Sequence, residues 1–440
     1  MSIKTKQELD AAQSKTREDK WKWVEQTIWT EKMLMALDNR VKVNKWYSLI
    51  DKIYNTKTLE KAWTNVMKNK GAAGIDDITI KKFIPNKDKY LKEIADDLKE
   101  AKYEPSKIRR VNIPKADGKT RPLGIPRIKD RIVQSAIKMA IEPIWEQEFS
   151  PTSYGFRPEK NAHEAIKEVS KYLNEGYIWV IDADIKGYFD NISHERLIKK
   201  VKVKITDGRL LNIIKDFLKA EIVEDMKEWT PIKGTPQGGV LSPLLANIYL
   251  DSLDHLINSL ECKIIRYADD FVVLCQSEEQ AKQVREIIEK WMTENELELH
   301  PGKTKICNYN NNESFEFLGY KFERKYKFVR KKSIVKLKDK IREYTKRTCG
   351  KNICKVILEI NRILIGWFNY FKYAQGDVYR KLDALIRRRL RAIIRKQKKR
   401  PGMGKTLNDH KQWPNEYFAG LGLFSLQEAR AKFYAANRPR

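Results

Sequence analysis

The run Ile264-Ile265-Arg266-Tyr267-Ala268-Asp269-Asp270-Phe271-Val272-Val273-Leu274 constrains this chain more than any other. Two apolar, β-branched segments flank a short acidic centre, the pattern of a β-hairpin with Ala268-Asp269-Asp270 at its turn. Adjacent carboxylates at a tight turn between buried strands repel, because like charges at close range oppose each other's ionisation. A divalent cation removes that cost, and Mg²⁺ prefers a few carboxylates together with substrate phosphates. A solvated Asp-Asp turn is the plain alternative. The rest of the chain decides against it.

A second acidic centre lies upstream, where the apolar run Tyr177-Ile178-Trp179-Val180-Ile181 leads into Asp182-Ala183-Asp184-Ile185-Lys186-Gly187-Tyr188-Phe189-Asp190. Between the two centres sits Gly234-Thr235-Pro236-Gln237-Gly238-Gly239-Val240-Leu241-Ser242-Pro243, a glycine-rich loop that opens an apolar helix expected over 244–253. Two strand-borne carboxylate sites and a backbone-exposing loop are the parts of two-metal phosphoryl transfer. With its Tyr-Ala-Asp-Asp box, its Gln-Gly-Gly-Val-Leu-Ser-Pro loop and its Asp-Ile-Lys-Gly-Tyr-Phe-Asp stretch, the chain resembles a bacterial group II intron reverse transcriptase/maturase over nearly its whole length. The resemblance implies an α+β right-hand polymerase: fingers, a palm with an antiparallel sheet, then an α-helical thumb. The expected blocks are 1–55 (N-terminal helical extension), 56–178 (N-terminal block and fingers), 179–325 (palm), 326–400 (thumb or maturase region) and 401–440 (a small DNA-binding-like segment).

The resemblance also assigns roles. Asp184, Asp269 and Asp270 become the catalytic carboxylates, with Ile185 beside Asp184 in the metal set for two Mg²⁺ ions, Mn²⁺ being a possible substitute. Asp182 shares the strand face two residues earlier but fits the motif less clearly. Phe189 is expected under the sugar of the incoming dNTP, where a bulky ring leaves no room for a 2′-OH; Tyr188 is the runner-up. Gln237 and Gly238 face the nucleotide or template. The run from Ile108 to Ile125 reads as a hairpin around an Asp117-Gly118 turn. By resemblance it is the fingers hairpin, with Lys115 and Arg121 on the triphosphate and Arg109 a weaker candidate. Arg157, in Tyr154-Gly155-Phe156-Arg157-Pro158, either meets template phosphate or braces the fold. Phe317-Leu318-Gly319 resembles the element that holds the primer end. His300 and Lys303 are expected in a loop without a catalytic role.

Charge is distributed unevenly. Residues 321–440 hold 34 Lys and Arg against 9 Asp and Glu, a net of +25, while the first 320 carry 54 against 50, a net of +4. A basic quarter of this kind points to a polyanion, and 11 Trp, 19 Tyr and 15 Phe add stacking surface that favours nucleic acid over a lipid face. Apolar spacing predicts helices over 353–373 and 378–396, and Arg387, Arg388, Arg391 and Arg395 of the second are the expected nucleic-acid contacts. Helices are also expected across 21–53, 58–69 (opened by Thr58), 80–98, 130–144 and 279–297. The five cysteines form no paired spacing, so neither a disulfide framework nor a zinc site is indicated.

These readings predict an RNA-directed DNA polymerase that also binds its intron RNA as a splicing cofactor. Its partners would be intron RNA, an RNA template/DNA primer duplex, a DNA target site and dNTPs. A polar start and the lack of any membrane-length apolar run predict no membrane contact and a bacterial cytosolic, nucleoid-associated ribonucleoprotein. The His-Asn-His endonuclease domain of the family is expected to be absent, and the sequence does not choose between monomer and dimer. The alternative is a free-standing relative used in defence, DNA repair or spacer acquisition.

Overall fold

Two helices, Ile128–Glu146 and Ser242–Ser259, carry apolar residues around most of their circumference, and a helix of that kind must be enclosed on all sides. In the computed structural model, which describes residues 19–41, 45–114, 118, 120–225, 227–311, 313–323 and 325–437, both are buried along most of their length. Among the described residues the strands are β1 (Ile108–Pro114), β2 (Thr120–Ile125), β3 (Trp179–Asp184), β4 (Ile222–Glu224), β5 (Lys227–Trp229), β6 (Lys263–Tyr267), β7 (Asp270–Cys275), β8 (Lys305–Asn308), β9 (Phe315–Phe317), β10 (Tyr320–Glu323) and β11 (Tyr326–Val329). They form three sheets, ordered β2-β1-β4-β5, β6-β7-β3-β8 and β11-β10-β9. The pairings β1–β2, β3–β8, β4–β5, β9–β10 and β10–β11 are antiparallel, while β1–β4 is parallel. The class is α+β, as expected from the sequence.

The chain divides into two compact units: Met1–Val169 with Ala183–Val273 and Lys282–Thr304, and Ser170–Asp182 with Leu274–Ala281 and Lys305–Arg440. The block expected over 179–325 is thus shared between both units.

In the first unit, the Thr56–Lys68 helix buries Leu59, Ala62, Trp63 and Val66, and Trp63 stacks on Phe83 with ring centroids 4.6 Å apart. Two sequence readings are corrected here, and a third in part. The Thr56–Lys68 helix is capped by Asn55, whose side chain accepts the Lys57 amide at 3.0 Å; Thr58 lies inside it and is buried. Expected as one helix, 80–98 is broken at Pro85, which has no N–H to continue the ladder, into Ile80–Phe83 and Lys87–Lys99. Helices are present across 21–53, as expected, but the helical pattern does not run on through Trp46. The helices Glu31–Asp38 and Ile50–Ile53 flank Trp46, which forms a parallel bridge with Ile205. Trp46 donates to the Lys204 carbonyl at 2.8 Å and accepts from Thr206 at 2.9 Å. The extension is therefore stitched to the body by backbone bonds.

In the second unit, Phe315, Phe317, Tyr320 and Phe322 of the three-stranded sheet are buried, with Phe315 and Phe322 stacked 4.8 Å apart. The helices Lys331–Tyr344, Ile353–Phe371, Val378–Gln397 and Leu426–Ala436 form the rest of its core. Asp383, itself buried, accepts from the Leu426 amide (3.1 Å), the Gln427 amide (3.0 Å) and the Ser425 hydroxyl (3.0 Å), capping the last of these helices from another. No helix among the described residues is long and apolar enough to cross a membrane.

Asp207 plays a matching part in the first unit. One carboxylate oxygen accepts the amides of Leu49 (2.8 Å) and Ile50 (3.0 Å), and the other caps the Gly208–Lys219 helix at Leu210 (3.1 Å). Replacing Asp207 with Ala strands these buried amides and is expected to cost about 2–4 kcal/mol. Asp207→Asn, which keeps one acceptor, should lose less; the order of unfolding midpoints in a thermal melt checks both.

Candidate active site

An arginine in the middle of a buried β-strand must be paired, since an isolated charge there is far too costly. Arg266 of β6 is wholly buried, and Asp254 of the Ser242–Ser259 helix answers it with bonds of 2.8 and 3.0 Å to Nε and 2.5 Å to a terminal nitrogen. The other terminal nitrogen donates to Asn247 Oδ1 (2.9 Å) and to the Ala268 carbonyl (3.0 Å). Burial works against the charge, but the Asp254 carboxylate and its hydrogen bonds outweigh it and hold the guanidinium above its ordinary pKa.

That last bond explains the turn. Ala268 has φ 62°, a left-handed conformation that costs energy for a residue with a Cβ. Arg266 clamps it from within the hairpin, while Gly155 closes on it from outside: a Cβ at Gly155 would lie 2.2 Å from the Ala268 nitrogen. The Tyr154 amide also donates to the Arg266 carbonyl (2.8 Å), and Asn247 donates to the Gly155 carbonyl (2.8 Å). Asp269 and Asp270 follow directly from this clamped turn.

Asp184 ends β3, and the chain beyond it is held at the same edge. Its carbonyl accepts the His300 amide (2.7 Å), the Lys186 amide donates to the Glu298 carbonyl (2.9 Å), and Ile185 between them bridges Leu299. The Asp184 carboxylate accepts from Lys303 Nζ at 2.6 Å. Burial pushes the Asp269 carboxyl above its ordinary pKa; its own backbone amide opposes this, the Asp184 charge adds to it, and Arg121 and Lys303 pull it back. Asp184 and Asp269 therefore share one electrostatic environment. No three acidic, His or Cys side chains converge as a ready-made metal cluster among the described residues. Asp182 belongs to the second unit, paired in register with Lys305, and burial raises its pKa to about 6.

The glycine-rich loop is tied to the upstream motif by backbone bonds: Thr235 N to Phe189 O and Gly234 N to Ile192 O, both 2.7 Å. Gln134 Oε1 accepts from Val240 (2.8 Å), and Ser242 donates to the Pro236 carbonyl (2.9 Å). Gln237 Oε1 accepts from Arg121 Nε (2.7 Å), and its carbonyl accepts the Gly124 amide (2.7 Å), so loop and β2 are joined twice. Gly238, at φ +115°, leaves no space for a side chain, since a Cβ would be 2.4 Å from the Gly124 carbonyl. The glycine serves close packing on β2.

Phe189 is buried, edge-on to Tyr188 at 5.5 Å, with its carbonyl bonded to the loop at Thr235. Tyr188 is not available as a sugar contact: it is buried and its hydroxyl donates to the Ala246 carbonyl (2.6 Å). Arg109 turns to Asp77 (3.0 Å). Lys115 lies outside the described residues. Arg157 braces: its guanidinium reaches Glu146 (2.5–3.1 Å) and the carbonyls of Ser150 (2.6 Å) and Ser153 (2.8 Å), leaving its side chain 5% exposed.

In the second unit, the expected arginines fall into two groups. Arg391 is buried, donating to the Trp413 carbonyl (2.8 Å) and to Asn415 (3.3 Å) over the Phe418 ring. Arg395 binds Asp409 and the Pro401 carbonyl. Both fasten the segment after residue 400, which removes them from the nucleic-acid contacts expected of them. Arg387 and Arg388 are half-buried, with no side-chain hydrogen bond among the described residues.

Sequence reasoning missed Asp254, Asn247, Gly155 and Lys303. The first two had a signal, a charge and an amide inside an apolar helix opposite a charged residue in an apolar strand. Removing Asp254 alone (Asp254→Ala) leaves Arg266 buried and unpaired and is expected to cost about 3–5 kcal/mol. A double replacement, Arg266→Met with Asp254→Leu, should recover most of that stability in a denaturant melt. It should not recover activity, because the Ala268 carbonyl still lacks its donor.

Residues 113–322 match the family described as reverse transcriptase (RNA-dependent DNA polymerase), and residues 334–413 match the group II intron maturase-specific domain. The chain is 37% identical over 277 residues to Protein YkfC of Escherichia coli (strain K12), covering 53% of this chain and 71% of that protein. It is 42% identical over 208 residues to the group II intron-encoded protein LtrA of Lactococcus lactis subsp. cremoris, covering 47% of this chain and only 34% of that protein. Among solved structures it is similar to a partial Cas6-RT-Cas1–Cas2 complex, with a TM-score of 0.36 and 26% identity over 56% of this chain and 41% of that one.

Proposed function

We propose a mechanism for this chain from the premise that it belongs to the group II intron reverse transcriptase/maturase family. It copies RNA into DNA at Asp184, Asp269 and Asp270, and its C-terminal quarter grips intron RNA, assisting splicing and then target-primed reverse transcription. What supports the polymerase reading is the acidic turn itself, clamped by Arg266 and Gly155 within the stretch that matches the reverse transcriptase family, with burial and the Asp184 charge both pressing on the Asp269 carboxyl. Such a pair suits a hard divalent cation with oxygen ligands, Mg²⁺ first and Mn²⁺ as substitute.

Asp184 and Asp269 would hold the cations, with the Ile185 carbonyl and Asp270 completing the protein's share. When bound, the cations supply the positive charge that activates a primer 3′-hydroxyl and neutralises the pyrophosphate leaving group. The primer 3′-oxygen, its proton passing to solvent, forms its bond to the α-phosphorus as the bond from that phosphorus to the pyrophosphate oxygen breaks. Arg121, exposed and anchored through Nε to Gln237, has its terminal nitrogens available for the triphosphate. Phe189 sits under the sugar and excludes a 2′-OH. Arg266 and Gly155 keep the acidic turn fixed while these groups change partners.

Asp269→Asn preserves shape and removes a charge. It should lower primer extension on an RNA template at least about a hundredfold, with RNA affinity in a filter-binding assay unchanged. Extension at the unmutated rate would remove Asp269 from the catalytic set.

The RNA grip is assigned to Arg387 and Arg388. Changing both to Gln, with Arg391 and Arg395 left in place to hold the fold, should weaken intron RNA binding. The log–log salt dependence should become shallower by roughly one and a half units, at about 0.7–0.9 per phosphate contact. A salt slope identical to that of the unmutated protein would place both arginines outside the RNA interface.

A further inference from the structure

We infer that Lys303 holds the Asp184 carboxylate in place of a divalent cation while the site is unloaded, and is displaced when a cation enters. The inference rests on the reading of Asp184 and Asp269 as cation ligands, and the residue itself is one that the polymerase mechanism above does not use. Lys303 Nζ lies 2.6 Å from Asp184 Oδ2. That carboxylate is directed at the lysine, and the bond joins the end of β3 to the loop after His300.

The backbone around Lys303 is fixed while its side chain is free to leave. His300 donates to the Asp184 carbonyl (2.7 Å), and the amides of Lys303 and Thr304 both return to the His300 carbonyl (3.0 Å). The Lys303 Cα is therefore registered against the end of β3. Its side chain is 58% exposed, so the ammonium can withdraw into water on its flexible stem. A lysine suits this exchange because it is a compact point charge making one contact. An arginine would bind the same carboxylate bidentately and resist displacement.

The neighbouring pair sharpens the contrast. Lys186 and Glu298 meet at 2.9 Å on the same strand edge, but neither touches the acidic centre. Lys303 instead adds to the pull that keeps Asp269 from rising further, as Arg121 does. In the unloaded protein this lysine partly screens the repulsion that a cation later screens better. A partly exposed pair is weak, so the competition it offers is modest, about three- to tenfold in cation affinity.

The test is Mn²⁺ binding to the full chain without nucleic acid, followed by electron paramagnetic resonance, for the unmutated protein, Lys303→Gln, Lys186→Gln and Asp269→Asn. Lys303→Gln should bind Mn²⁺ about three- to tenfold more tightly, Lys186→Gln should match the unmutated protein, and Asp269→Asn should lose the site. In metal-free buffer Lys303→Gln should also melt lower than the unmutated protein, with the gap closing at saturating Mn²⁺. Equal or weaker binding by Lys303→Gln, with the site still lost in Asp269→Asn, overturns the stand-in role and leaves the polymerase reading intact. A Mn²⁺ site indifferent to Asp269→Asn overturns the polymerase reading, and the stand-in role with it.

Discussion

The buried pair of Arg266 and Asp254 is the interaction on which the site's geometry depends. A left-handed Ala268 is intrinsically unfavourable, and two adjacent acids after it make the turn worse. Arg266 addresses the first by bonding the Ala268 carbonyl, while Arg121 and Lys303 offset the charge on Asp269. The burial of Arg266 is tolerable only because Asp254 and Asn247 satisfy it. A purely apolar core at these positions would pack well and leave the turn unheld. The pair trades some stability for a fixed orientation.

Much of this was legible in the residues. The acidic hairpin, the glycine-rich loop and the strand leading to Asp184 stand where their apolar patterns predict. The helices Ile353–Phe371 and Val378–Gln397 end within two residues of their expected limits. The failures have physical causes. Around Trp46, helical spacing was overridden by a long-range backbone bridge to Ile205, which no local pattern encodes. At Thr58, an equally good cap stood three residues earlier in Asn55. At Lys303, spacing places the residue in a loop, but only tertiary structure lays that loop along the end of β3. The assignment of arginines by charge density failed at Arg391 and Arg395, and the alternatives for Arg157 stayed open, because a sequence does not distinguish a guanidinium facing solvent from one facing carbonyls.

Ionised side chains recur as fasteners between distant segments. Asp207 caps one helix and orders the start of another, and Asp383 receives the start of the last helix. Arg389 caps the Lys331–Tyr344 helix by reaching the carbonyls of Arg342 (3.0 Å) and Thr345 (2.9 Å). In each case a charged group satisfies amides or carbonyls that helix ends leave unpaired, where a charge-assisted bond is stronger than a neutral one.

The commitment of Arg389, Arg391 and Arg395 to backbone carbonyls has a consequence for how the protein is made. Before folding, every cation of the basic quarter is open to polyanions; after folding, several are sequestered. Any RNA that engages the unfolded segment thus competes with the helix caps for the same guanidinium groups and shifts the equilibrium toward the unfolded chain. Folding of this quarter is then a race against premature capture. The partner that wins productively is one whose phosphates match the cations left outside the fold.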